Sequence, residues 1–344
     1  MAGSFVQRNW FLIGILAAIA LGMLIPEIGV RLNPGSSTST AIVVALFVIT
    51  GLMLPAETIW RGMRNIRLHL YLQIFIFCIV PLYFLATLTF TRSLIPASLR
   101  VGVFALACLP TTVSSCVVFT QVAGGNAVGA LFNSTLANIA GIFLSPLLLS
   151  FMLQNGLGAL PKGETIRILR DLALTILLPF AAGQGARFLF AKALVGRRRS
   201  LFATLSNALI LLIIFFAFSK SARNEFLHEK AFQLLVPFLY LAVSHLILTA
   251  AAYGGARVLR LDGVDTIAAV FVAPQKTIAM GIPLLTTYFA NDPQTLALAI
   301  VPLLFYHPWQ LLVAGLLKSA PFLRKAGAVP ADAVETQPRH PRTR

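Results

Sequence analysis

The stretch Leu109-Pro110-Thr111-Thr112-Val113-Ser114-Ser115-Cys116 sets a proline and four hydroxyl side chains inside a run that is otherwise apolar. A second stretch, Ala273-Pro274-Gln275-Lys276-Thr277, inserts a proline, an amide and an ammonium into another apolar run. Proline lacks a backbone donor and its ring clashes with the preceding turn, so a helix is expected to kink or break at each site. The two prolines lie 164 residues apart, at similar places in the two halves of the chain. Interrupted helices at corresponding places in two halves are the best sequence pointer to a binding site between membrane helices.

Composition fixes the solvent. Of the 344 residues, 58% are hydrophobic and only 11% are charged. A soluble domain carries roughly 25% charged residues, so this chain lacks the polar surface to cover itself and reads as an integral membrane protein. The net charge of +16 does not make a nucleic-acid binder. The basic residues are dispersed between apolar runs and in the last 27 residues, as in membrane loops. Cys78, Cys108 and Cys116 have no metal-ligand spacing and read as small buried hydrophobes. The apolar run after Arg8 continues to Val30 with no clear cleavage site, which reads as a retained first span.

A membrane span takes about 20 mostly apolar residues. Ten candidates follow, at roughly 10–30, 39–58, 67–90, 99–121, 126–152, 168–189, 203–220, 231–256, 263–289 and 293–317. With the N-terminus inside, 17 Lys and Arg residues fall on the cytoplasmic side and 9 outside. That bias predicts a multi-pass protein of the plasma (inner) membrane with both termini cytoplasmic. Splitting the chain near Leu160 leaves five spans in each half, so the second half enters from the opposite side. The expected organisation is a first five-helix repeat at 1–160, an inverted second repeat at 161–318 and a disordered cytoplasmic tail at 319–344. Asn126 and Asn291 pair in the two halves, each expected to cap the fifth span of its repeat.

The hydroxyls of Thr111, Thr112, Ser114 and Ser115 can replace the lost backbone partners at the first break or coordinate a small cation. Packing between membrane helices is their alternative use. A helix restarting there also aims its N-terminal dipole at the site. Lys276 is the only Lys or Arg far from both ends of its span. A charge at that depth costs at least about 2.5–3.5 kcal/mol on insertion scales, which makes it a functional candidate. Its alternative is a side chain snorkelling to the interface. Gln73 lies well inside the third span, and Asn133, Ser134 and Asn138 inside the fifth. Every Asp and Glu falls in a loop, near a span end or in the tail, and Glu57, Asp171 and Asp265 read as interfacial. No phosphate loop, zinc motif, nucleophile elbow or other catalytic set appears, so no enzyme, catalytic residue or metal site is expected.

The run Leu109 to Val117, then Gly124-Gly125-Asn126, Leu144-Ser145-Pro146-Leu147 and Ala273-Pro274-Gln275-Lys276 together resemble the bile acid:sodium symporter superfamily, and most closely its SBF-like branch. The resemblance spans about residues 8–318. It implies an all-α fold of ten transmembrane helices in two inverted five-helix repeats, with helices four and nine broken and crossing near mid-membrane. It implies a secondary transporter moving a small organic anion by alternating access, coupled to a cation. By motif, Gln73, Ser115, Ser134 and Gln275 match positions that supply sodium ligands. Lys276 and Thr277 match positions at the crossing near the substrate, with Thr111, Thr112, Ser114 and Asn133 beside them. The family's sodium-bridging glutamate falls at Phe271, an asparagine ligand at Cys116 and a serine ligand at Ala130. Hard cations need oxygen ligands, so these departures weigh against the usual sodium site. The Lys276 ammonium is then expected to occupy or replace part of it, with sodium or a proton as the open choices of coupling ion and no organic cofactor. The branch's link to calcium homeostasis makes a non-transporting membrane regulator the alternative. Expected partners are the lipid bilayer and the anion.

Overall fold

A computed structural model describes residues 2–54, 65–157, 170, 173–191, 198–222 and 234–323. Among these residues every regular element is helical. Six helices are long and apolar enough to cross a membrane, or seven if one bent pair counts as a single span. Large apolar side chains such as Leu82, Phe90, Phe188 and Val258 are exposed on the outside of the bundle. That surface suits lipid, where no water is available to compete for backbone groups and helices satisfy their own.

The bent pair is α1 (Ala2–Leu24) and α2 (Pro26–Leu32), which meet at 96°. Pro26 opens the second helix, and Ile25 before it leaves the helical region. The expected straight span at 10–30 therefore ends at Leu24. The next helices are α3 (Ser37–Met53) and α4 (Ile66–Phe90). Residues 55–58 of the second expected span lie outside the described residues.

Helix α4 contains a wide turn at Phe75–Ile79, in which the Val80 N–H bonds back to the Phe75 carbonyl. Pro81 follows directly. A ring at that point crowds the carbonyl four residues earlier, and an extra residue in the turn relieves the clash. The same device recurs in α8 (residues 173–191), where the wide turn Ala173–Leu177 precedes Pro179.

The fourth expected span is two helices, α5 (Ala97–Cys108) and α6 (Ser114–Val122). Leu109 between them is extended at φ −73° and ψ 149°, as a residue before proline should be. The ninth is likewise divided, into α11 (Gly263–Val272) and α12 (Ile278–Tyr288). Here Ala273, just past the end of α11, keeps helical φ and ψ before its proline. Helices α7 (Ala127–Leu157), α9 (Arg199–Lys220), α10 (Leu235–Val258) and α13 (Pro293–Leu317) complete the set.

The helices pack as two groups. In one, α1 lies on α9 and α3 on α8. In the other, α4, α6 and α11 surround α7, α13 lies on α5, and α10 covers α11 and α13. Helix α12 joins the groups by touching α3 and α9 of the first and α13 of the second, and α9 also meets α13.

Three smaller expectations need correction. Asn126 does cap α7, its Oδ1 accepting from Gly129 N at 2.7 Å, but α13 is capped by Asp292 rather than Asn291, through Thr295 N at 3.0 Å. Cys108 and Cys116 are buried, whereas Cys78 is exposed on α4. The expected tail at 319–344 falls largely outside the described residues, yet Leu323 is buried beside Ala123, Ile267 and Ala314.

Candidate functional site

The two interrupted segments cross. Thr277 N donates to the Pro110 carbonyl at 3.0 Å, so the breaks are bonded directly to each other. Each break strands carbonyls that a continuous helix would have satisfied. Helix α7 supplies donors for the first. Ser145 Oγ donates to Cys108 O at 2.7 Å and Asn138 Nδ2 to Thr111 O at 2.8 Å. Gly141 lets the proline approach, since a Cβ there would meet Pro110 Cγ at 2.8 Å.

Helix α13 supplies the second break. Tyr306 OH donates to Pro274 O at 2.8 Å and is itself 2.9 Å from His245 Nδ1. Gln310 holds Lys276 by its backbone, accepting from Lys276 N and donating to Lys276 O, each at 2.8 Å. Thr277 caps α12 with its own hydroxyl, which accepts from Ala279 N at 3.3 Å.

Lys276 is 1% exposed. Its ammonium donates to Leu109 O at 2.7 Å, Ala107 O at 3.1 Å and Ile76 O at 3.2 Å. It does not snorkel. It sits against the open C-terminal end of α5, where a helix carries partial negative charge.

Gln275 Oε1 gathers hydroxyls across the crossing, accepting from Thr112 at 2.7 Å and Ser115 at 2.8 Å. Thr112 and Ser115 also bond each other. Thr111 Oγ1 lies 3.1 Å from Cys116 Sγ, which donates to Phe271 O at 3.1 Å. Phe271 stacks on Phe119, so that position holds an aromatic contact and no oxygen ligand.

Of the four residues matched to ion ligands, Ser115 and Gln275 are bonded together. Ser134 instead returns its hydroxyl to Ala130 O at 2.6 Å. Gln73 belongs to another cluster. It donates to Asn133 O at 3.2 Å, while Asn133 Nδ2 lies 3.0 Å from His69 Nδ1. The Gln73 Oε1 is buried with no partner.

A cavity of about 670 Å³ opens beside the crossing. The first turns of α6 and α12 face it through Ser114, Ser115, Ile278 and Ala279, with Thr112, Thr277, Asn138 and His307 around them. The far wall is Leu46, Thr50 and Met53 of α3 with Ser206, Asn207 and Ile210 of α9. Among the described residues no Asp, Glu, Lys or Arg lines it. Thr111, Asn133 and Lys276, expected near a substrate, are not in the lining.

The sequence reading missed one buried acid. Asp265, taken as interfacial, is 2% exposed. Its oxygens accept from Asn126 Nδ2 at 2.7 Å and from Asn65 Nδ2. Asn65 caps α4 through Leu68 N at 3.3 Å, so the first turns of α4, α7 and α11 converge on one carboxylate. The signal was an Asp or Asn at each of three helix starts. Nothing in the order of residues says that those starts meet. Among the described residues no cluster of His, Cys, Asp and Glu is placed to hold a metal ion.

Comparison with known proteins supplies the family. The sodium/bile acid cotransporter 7 of Mus musculus is 32% identical over 320 residues, covering 90% of this chain and 92% of that protein. The corresponding 7-A protein of Xenopus laevis is 30% identical over 321 residues, covering 91% of each chain. An uncharacterized protein of Pseudomonas aeruginosa is 29% identical over 321 residues. The sequence profile of the SBF-like CPA transporter family matches residues 9–324, and with crossed helix breaks on the same residues that carry the resemblance, this chain belongs to that family.

Proposed function

We propose that the protein is a secondary transporter that moves a small organic anion across the membrane by alternating access. The observation that carries this reading is the cavity into which α6 and α12 both open their N-terminal turns. Helix N-termini present free N–H groups and partial positive charge, which favour an anion. The hydroxyls of Ser114 and Thr277 add donors, and among the described residues no carboxylate lines the wall to repel the ligand. The apolar remainder of the lining suits a hydrocarbon body.

The two helix groups provide the moving parts. The crossing stays with α5, α7 and α13, while α1, α3 and α9 form the opposite wall, with α8 packed behind α3. Counting each interrupted pair as one span, and adding α1 and the shorter helix α8, brings the crossings to the expected ten. This count supports the inverted-repeat reading. Under the loop-charge assignment, the cavity end near Met53 and Ser200 lies toward the cytoplasm.

The test is direct. Small organic anions are offered to the purified protein in a thermal-stability panel, and hits are followed as uptake into proteoliposomes. A stabilising anion should lose its effect in Ser114→Ala and Thr277→Val, because those residues line the cavity. Silence across a broad panel, together with no uptake, would favour the membrane-regulator reading instead.

A further inference from the structure

We propose that Lys276 is a built-in cation. Its ammonium fills a cage of carbonyl oxygens that would otherwise take a small monovalent cation, so no mobile cation binds at this point of the crossing.

The cage is assembled from backbone that has no other donor. Residue Ile76 sits in the wide turn of α4. The Val80 N–H, its ordinary helical partner, is turned to Phe75 O instead. The next nitrogen along belongs to Pro81, which has no hydrogen to give. Ile76 O is therefore left open by the sequence itself. Ala107 O and Leu109 O are open because α5 stops at Cys108, Leu109 is extended and the next residue, Pro110, has no N–H. All three oxygens converge on one nitrogen at 2.7–3.2 Å. Converging carbonyls without a carboxylate are what backbone-lined sites offer to a monovalent cation in place of its hydration shell. Here the cation is covalently attached.

The attachment is itself rigid. Gln310 fixes the Lys276 backbone at both its N–H and its carbonyl. Placing the charge therefore takes little further ordering, whereas a mobile ion would have to be captured and dehydrated each time.

The inference concerns cation binding and stands whether or not the protein moves a solute. Melting temperatures of the full-length protein in detergent are compared in sodium, potassium and N-methylglucamine chlorides at equal ionic strength. The wild type should melt at one temperature in all three. Lys276→Ala should melt lower in N-methylglucamine and recover saturably with sodium, potassium or methylammonium, by about 2 °C at a tenfold excess over the Kd. Lys276→Met, which refills the volume without charge, should melt lower in every salt and respond to none. A saturable, sodium-specific rise in the wild type overturns the proposal, as does a folded Lys276→Ala that is indifferent to cations. If Lys276→Ala does not fold, Lys276→Ser is measured in its place and read by the same two outcomes. Transport is absent from these readouts, so failure to find an anion substrate leaves them unaffected.

Discussion

Gln310 shows how one side chain carries an irregular backbone. It makes two hydrogen bonds to Lys276, at its N–H and its carbonyl, with both residues fully buried. An unsatisfied buried polar group costs about 1–3 kcal/mol. Gln310→Leu should therefore lower the melting temperature by roughly 4–8 °C, read by thermal unfolding of the purified protein. Asp265 offers a comparable test at the opposite end of α11. Asp265→Leu strands the amide donors of Asn65 and Asn126 and should destabilise by about 2–4 kcal/mol. Asp265→Asn keeps the shape and should recover part of that loss. The sequence marked Lys276 as exceptional because a charge at mid-span has few explanations. It could not mark Asp265, which lies at a helix start where an acid is ordinary, and whose burial depends on two distant asparagines. The grouping of Gln73 with Ser115 and Gln275 came from family resemblance. The structure gives Gln73 other partners, Asn133 and through it His69.

At the scale of helices, the two breaks were legible because proline has a local effect that tertiary context rarely cancels. The position of each break was not. Leu109 is extended before its proline while Ala273 remains helical before its own, and only the partners on α7 and α13 account for the difference. The 96° bend after Leu24 was also signalled by Pro26, yet continuous hydrophobicity hid it. Close approach at the crossing depends on Gly141, where any side chain meets the Pro110 ring. Gly141→Val should cost about 1–3 kcal/mol by overpacking and should loosen the crossing. Amide exchange at Thr277, which donates to the Pro110 carbonyl, should accelerate alongside the drop in melting temperature.

For the whole molecule, the cavity is the feature that no local pattern announces. It arises where α12 spans two helix groups whose contact surfaces come from distant parts of the chain. Filling it separates function from stability. Ala279→Trp places an indole in the lining at the first turn of α12 and should abolish anion-dependent stabilisation and uptake, with a melting temperature within a few degrees of the wild type. A loss of fold instead would show that the space is not free.

The thiol inventory has a practical use. Cys108 and Cys116 are sealed in the interior, and Cys78 looks out from a helix flank clothed in hydrocarbon-facing residues such as Ile74, Ile79 and Leu82. The natural chain is therefore nearly silent toward a water-soluble, membrane-impermeant maleimide. A single Ser206→Cys change in the cavity wall gives that reagent one target, and its labelling rate from either face of a sealed vesicle reports which way the gate stands open.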